Sequence, residues 1–489
     1  MRKRIIKGSS ALMAAAMLLS AGCSRSDAPA PGATEPSSKG NVIISTVAEP
    51  ETKALTEPET KAVTEPVTQP VTEPVTEEPK YEDPAKELTA GILAKNDGKA
   101  LRGWELDKDM LSGLKKFSVD VFKDCYKAAD PAENVLISPE SIILALGMTA
   151  NGAEGKTLSE MLKTITGMED IDLLNKTLYY YAHPSKPYGV EKDQLKIADS
   201  VWIDTSKIAV SPYEDFLNTV RSIYDAQVYG GILSECTDQV NAWVKEHTDD
   251  MIEKIVDDIS EDVRTILINA VCFDAKWNVA YEDDQVDENG TFTKEDGTEQ
   301  KAAMLSSTEN TYLSDDDTTG FIKYYEGNKY AFMALLPNEG INLSDYISGL
   351  TGEKISSLNE KAKRGENIVV SAKIPEFEYD YGTSLVDTLK NLGINEAFDD
   401  YSSEITKILK ENDDPMHLFI SDVIHKTHIE LSREGTKAAA VTDVSFEECA
   451  EAVPLETEYY TVYLDRPFVY AILDTESGLP VFMGTVAGV

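Results

Sequence analysis

Five histidines and five cysteines are the whole stock of imidazoles and thiols in this 489-residue chain. Their placement argues against most chemistry. His183 lies beside Pro184 in a tyrosine-rich stretch, and His247 falls on a helical pattern. His417, His425 and His428 share one late segment, but their i, i+8, i+11 spacing builds no metal face. No CxxC pair or Cys/His cluster suggests zinc. No GxSxG, HExxH, Walker loop or GxGxxG occurs. Asp315-Asp316-Asp317 reads as a solvated loop, since the EF-hand spacing for calcium is missing. One thiol reaction stays open, a Cys–His protease built on Cys449. Yet Cys449 stands in a polar, alanine-rich stretch with no helix start or basic neighbour to lower its pKa. The expectation is a protein that is not an enzyme and that holds no metal or cofactor.

The stretch around that cysteine carries a different signal. Residues 434–453 read EGTKAAAVTDVSFEECAEAV. Thr436, Ala438, Ala440, Thr442, Val444 and Phe446 alternate as small or apolar residues, while the intervening set is mostly polar or charged. Period two with one buriable face is a strand pattern. The alanine-rich half commits weakly to a sheet and suits a helix or a mobile arm equally well. Two readings remain: an edge strand with its loop, or a segment that joins a sheet on demand.

The elements that would hold such a segment follow from periodicity. Leu114, Phe117, Val121, Phe122 and Cys125 predict an amphipathic helix with its cysteine in the core. Ser141–Met148 predicts a buried helix after Ser138-Pro139, and Asn241 through Ile255 predicts another. Strand signals then dominate. Residues 264–273 contain TILINAVCF, an apolar run suited to a strand covered on both faces. Tyr330–Leu336 and Asn367–Ile374 are similar, and Phe468–Leu473 with Val481–Val486 predicts a C-terminal hairpin. Helices first and strands after, without a βαβ rhythm, indicate an α+β fold in one domain spanning 88–489.

The first 87 residues differ. Residues 1–22 have a basic start, Arg2 to Lys7, and a short apolar run, Ala11 to Leu19. That run is too short to span a bilayer and fits a signal peptide. Leu19-Ser20-Ala21-Gly22-Cys23 resembles the lipobox of bacterial lipoproteins, with Ser20 where leucine is usual. The resemblance implies lipidation of Cys23, hence a membrane anchor and a cell-surface, extracellular domain. Residues 23–87 form a Thr/Glu/Pro-rich stalk in which ETKALTEP at 51–58 recurs as ETKAVTEP at 59–66. Proline at short intervals blocks helix and ladder. Some sixty such residues could extend to roughly 190 Å.

Charge completes the exclusions. The chain is net −40, with 86 acids against 46 bases, the wrong sign for gripping nucleic-acid phosphates. Residues 1–23 are +4 and residues 24–87 are −7, so about −37 lies on the domain itself.

Several ordered motifs in 88–489 resemble those of the serpins, inhibitors that trap proteases by loop insertion. NVLISPESI from Asn134 resembles N-(I/V)-x-x-SPxS, and Asn241-x-Trp243-Val244 with Thr248 resembles NxWVxxxT. Asn269-Ala270-Val271 through Trp277 resembles NAxYFKGxW, Arg466-Pro467-Phe468 resembles HPF, and Phe482-Met483-Gly484 is FMG. The resemblance implies three β-sheets with about eight to nine helices, and an exposed reactive-centre loop over about 434–454. It implies a hinge at Glu434, Gly435, Thr436, Ala438, Ala439, Ala440 and Thr442. Ser138, Ser141, Asn269 and His425 would form the polar shutter beneath the sheet, and Trp277 would lie where insertion starts. Counting along the loop puts the scissile bond at Cys449–Ala450, with Cys449 attacked as the residue presented to the protease. Cysteine and alanine are small, so an elastase- or proteinase-3-like serine protease, then a subtilisin-like one, is the implied target. The charge favours a basic one. A non-inhibitory binding serpin and an inhibitor of papain-like cysteine proteases are the alternatives. The expected protein is a monomer.

Overall fold

A computed structural model describes residues 84–92, 102–436 except 188, 191 and 207–209, and 456–489. The signal segment, Cys23, the stalk up to residue 83, and Ala438, Ala439, Ala440, Thr442, Cys449 and Ala450 lie outside the described residues.

Helix α1, Lys108–Ala128, begins where the Asp107 carboxylate accepts from the amides of Asp109 and Met110. It buries Leu114, Phe117, Val121, Phe122 and Cys125 as its spacing predicts. Helix α2, Pro139–Ala150, has proline at its first position and is buried on every side. Ile142, Ile143, Leu144 and Leu146 each contribute about 1.5–3 kcal/mol by leaving water. The helix packs against both major sheets.

Eight strands make the larger sheet: β1 (Ala85–Glu87), β2 (Leu195–Asp204), β3 (Gln227–Gly231), β4 (Thr265–Phe273), β5 (Ala275–Lys276), β6 (Phe377–Ser384), β7 (Asp422–Leu431) and β8 (Gly435–Thr436). Their order is β1-β3-β2-β4-β7-β8-β5, with β6 on the other edge of β7. All nine residues of β4 are buried, because sheet neighbours and packing on both faces exclude water. A seven-stranded sheet includes Tyr330–Pro337 and the expected antiparallel hairpin of Phe468–Asp474 with Pro480–Val486. A four-stranded sheet includes Ile368–Pro375 beside Glu458–Tyr463. A small three-stranded sheet, built on Leu409–Glu411, is additional to the three expected. Among the described residues there are nine α-helices.

The helix expected from Asn241 through Ile255 is shorter, Thr237–His247. Asp249 and Asp250 take positive φ of 50° and 62°, which ends it. Asn241 then holds the returning chain, its Oδ1 accepting from the amides of Ile255 and Val256 at 2.8 and 3.1 Å.

Candidate functional site

β4 and β7 run parallel and pair from Ile266–Asp422 to Val271–Thr427, and no further. Beyond that point the strands part, and β8 occupies the opening. Leu431 of β7 pairs with Thr436, while Lys276 and Ala275 of β5 pair with Gly435 and Thr436. Gly435 and Thr436, where the expected hinge begins, are therefore a strand of the sheet.

Its seat is specific. The turn between β7 and β8 offers three successive carbonyls, and each has a donor. The Trp277 indole N–H donates to Ser432 O at 3.0 Å, the Tyr281 amide to Arg433 O at 3.1 Å, and the Trp277 amide to Glu434 O at 3.0 Å. Arg433 anchors the turn from outside through Asp283 at 3.1 Å and Glu288 at 3.0 Å. Gly435 is required by closeness, since a Cβ there would lie 2.2 Å from Ala275 O. Thr436 is 1% exposed, and its hydroxyl is 2.8 Å from that of Tyr325. Trp277 stacks on Tyr325 with centroids 4.4 Å apart, closing the floor of the opening.

Below the opening lies a polar row. His425, Asn269 and Asp199 stand directly side by side on β7, β4 and β2. The Ser138 amide donates to His425 Nε2 at 3.0 Å, so Nε2 accepts and Nδ1 carries the hydrogen toward Asn269 Oδ1, 2.9 Å away. Asn269 Nδ2 then donates to Asp199 Oδ1 at 2.6 Å and to Ser141 O at 2.9 Å, and also contacts Ser141 Oγ. Ser138 Oγ donates to Val481 O at 2.7 Å, tying the row to the second sheet. Ser138, Ser141, Asn269 and His425 are thus brought together. Burial pushes the His425 pKa down to about 3, so the ring is neutral. Burial raises Asp199 to about 7, against the pull of the Asn269 hydrogen bond.

Asp199 and Tyr325 were not among the residues expected here. Asp199 had a sequence signal, a lone acid in the apolar run IADSVW. Tyr325 had none, because only the fold brings it under Thr436. Of the cysteines, Cys125, Cys236 and Cys272 are buried and unpaired, with pKa pushed up by burial to about 12, 11 and 12. None of these three is an activated thiolate at neutral pH.

A family model described as serpin (serine protease inhibitor) matches residues 112–488. The chain belongs to the serpin family. It is 29% identical to an uncharacterized serpin-like protein of Thermococcus kodakarensis, over 77% of this chain and 85% of that one. It is 27% identical to a serine protease inhibitor of Cyanea capillata, over 73% and 92%. Among solved structures, the thermophilic serpin tengpin in its native state aligns with TM-score 0.73 and 37% identity, over 83% of this chain and 100% of that one. The same protein in its latent state aligns less well, at 0.65 with 38% identity over 78% and 98%. Among the described residues, Gly435 and Thr436 of the expected hinge lie in the sheet of this serpin.

Proposed function

We propose that this serpin is an inhibitor that acts as a suicide substrate through reactive-loop insertion. The observation that carries the reading is the register of β8. Continued from Leu431–Thr436, the pairing with β7 sets Thr442 opposite His425. Continued from Ala275–Thr436, the pairing along β5 and β4 sets Thr442 opposite Asn269. Both pairings keep the offset that sets His425 beside Asn269, so they meet on one residue. An inserting arm would separate His425 from Asn269 and offer each the Thr442 hydroxyl instead. Polar groups that lose one partner would gain another, which keeps the opening of a buried row from being prohibitive.

The steps follow. A serine protease attacks the carbonyl of Cys449, the bond to Ala450 breaks, and the enzyme is left as its acyl ester on Cys449. The freed arm from Thr436 to about Glu448 adds a strand between β4 and β7, gaining main-chain hydrogen bonds and carrying the protease with it. Distortion of the protease site then prevents deacylation. Small side chains at Cys449 and Ala450 favour elastase- or proteinase-3-like enzymes, then subtilisin-like ones. Lipidation of Cys23 and the stalk to residue 87 would hold the inhibitor at the outer face of a bacterial cell membrane.

Incubation of the protein with pancreatic elastase, proteinase 3 and subtilisin tests this. An SDS-stable adduct is expected with at least one; cleaved protein without adduct across the panel would refute trapping.

A further inference from the structure

The outer face of the β6–β7 pair carries ligand-type side chains that insertion does not use. Register sets Glu378 directly opposite Glu430 and Asp380 directly opposite His428. His425, Thr427, Ile429 and Leu431 point into the core, so alternation leaves His428 and Glu430 on the opposite face. Facing carboxylates on an antiparallel pair repel. Among the described residues, neither the Glu378 nor the Glu430 side chain makes an ion pair or a hydrogen bond. Lys426, on the same face, donates instead to Lys254 O at 2.8 Å.

A carboxylate oxygen of Glu378, one of Glu430 and an imidazole nitrogen of His428 lie within 4.8 Å of one another. Ligand atoms around a bound zinc ion stand roughly 3–3.6 Å apart, so binding would require the side chains, Glu378 the most exposed of them, to draw together. The imidazole is oriented from behind. His428 Nδ1 is 2.9 Å from Asp380 Oδ1. A carboxylate only accepts, so Nδ1 carries a hydrogen and Nε2 is the nitrogen left to face a metal. A carboxylate behind an imidazole is the arrangement that fixes metal-binding histidines.

We propose that Glu378, His428 and Glu430 bind a divalent transition-metal ion of the zinc type on the outer face of the large sheet. An imidazole with two carboxylates suits zinc, whereas calcium and magnesium take oxygen ligands only. A water fills the remaining position, since one side of the group faces solvent. The ion neutralises the Glu378–Glu430 repulsion and links β6 to β7, the strand bordering the opening. Spacing along the chain hides the site because its ligands come from two strands.

Zinc chloride titrated into the chelator-treated full chain tests the proposal, by calorimetry and by thermal melting. One saturable equivalent and a raised Tm are expected, with magnesium and calcium giving neither. Cobalt(II) should give the visible absorption of a four-coordinate site. His428→Ala and Glu430→Gln should abolish these signals while the metal-free melt stays cooperative, and Asp380→Asn should weaken binding about tenfold. Zinc binding unchanged in His428→Ala, or equal shifts with magnesium, would overturn the site.

Discussion

The hydroxyl of Thr436 lies 2.8 Å from the hydroxyl of Tyr325, beneath the point where β4 and β7 part. That contact holds the hinge in the sheet at its first turn. Tyr325→Phe removes it at a cost of about 1 kcal/mol. Hydrogen exchange at the Gly435 and Thr436 amides should then accelerate roughly fivefold. Gly435→Val should accelerate it further, because its Cβ cannot coexist with Ala275 O. Unchanged exchange in both variants would mean that the seat contributes nothing to holding the hinge.

The polar row gives the sheet two opposed pH dependences. The folded His425, with pKa about 3 against an ordinary 6.5, refuses a proton that the unfolded chain accepts. Its contribution to stability is present above about pH 6.5 and declines toward pH 3. The folded Asp199, with pKa about 7 against 3.8, keeps a proton that the unfolded chain has released. Its contribution is present below about pH 4 and declines toward pH 7. Each slope is about 1.4 kcal/mol per pH unit, with opposite signs, so they cancel between about pH 4 and 6.5. Asp199→Asn should therefore make stability rise more steeply with pH in that window than in wild type, and His425→Gln should make it fall. Denaturant melts at pH 4.5, 5.5 and 6.5 measure both slopes; parallel profiles for all three proteins would contradict the account.

Thr436→Arg places a long charged side chain where 1% of the residue surface is exposed. The arm can no longer seat, so the protease should cleave and leave, converting inhibitor to substrate. The ratio of adduct to cleaved protein should drop at least tenfold while the rate of loop cleavage is retained. Full trapping by this variant would separate Thr436 from insertion.

Cys449 decides which protease attacks and does no chemistry of its own in the proposed mechanism. Cys449→Ala should preserve elastase inhibition within a fewfold, and Cys449→Arg should redirect the adduct to trypsin. Mass spectrometry of the released C-terminal fragment should show it starting at Ala450. Loss of all activity in Cys449→Ala would instead favour a thiol enzyme.

About −37 of the −40 net charge lies on the domain. Association with a basic protease should slow as salt rises from 0.05 to roughly 0.5 M, where the screening length falls to a few ångströms. A neutral protease of the same specificity should show no such change.

Residue order alone determined that the near-continuous apolar run at Thr265–Phe273 forms a doubly covered strand. It also determined that alternation from Thr436 gives the arm one buriable face. Both are local, because covering and alternation are written in neighbouring side chains. The family motifs around Ser138, Asn269 and Trp277 were legible for the same reason. Tertiary structure decided what those residues touch. The end of a helix at His247 depends on Asp249 and Asp250 turning left-handed while Asn241 catches the chain 14 residues on. Asp199 joins the row through strand register, and Tyr325 reaches Thr436 across 111 positions. The parting of β4 from β7 likewise has no local signature. A sheet opens where one strand's hydrogen-bonding edge loses its neighbour, and that depends on the relative placement of strands more than 150 residues apart.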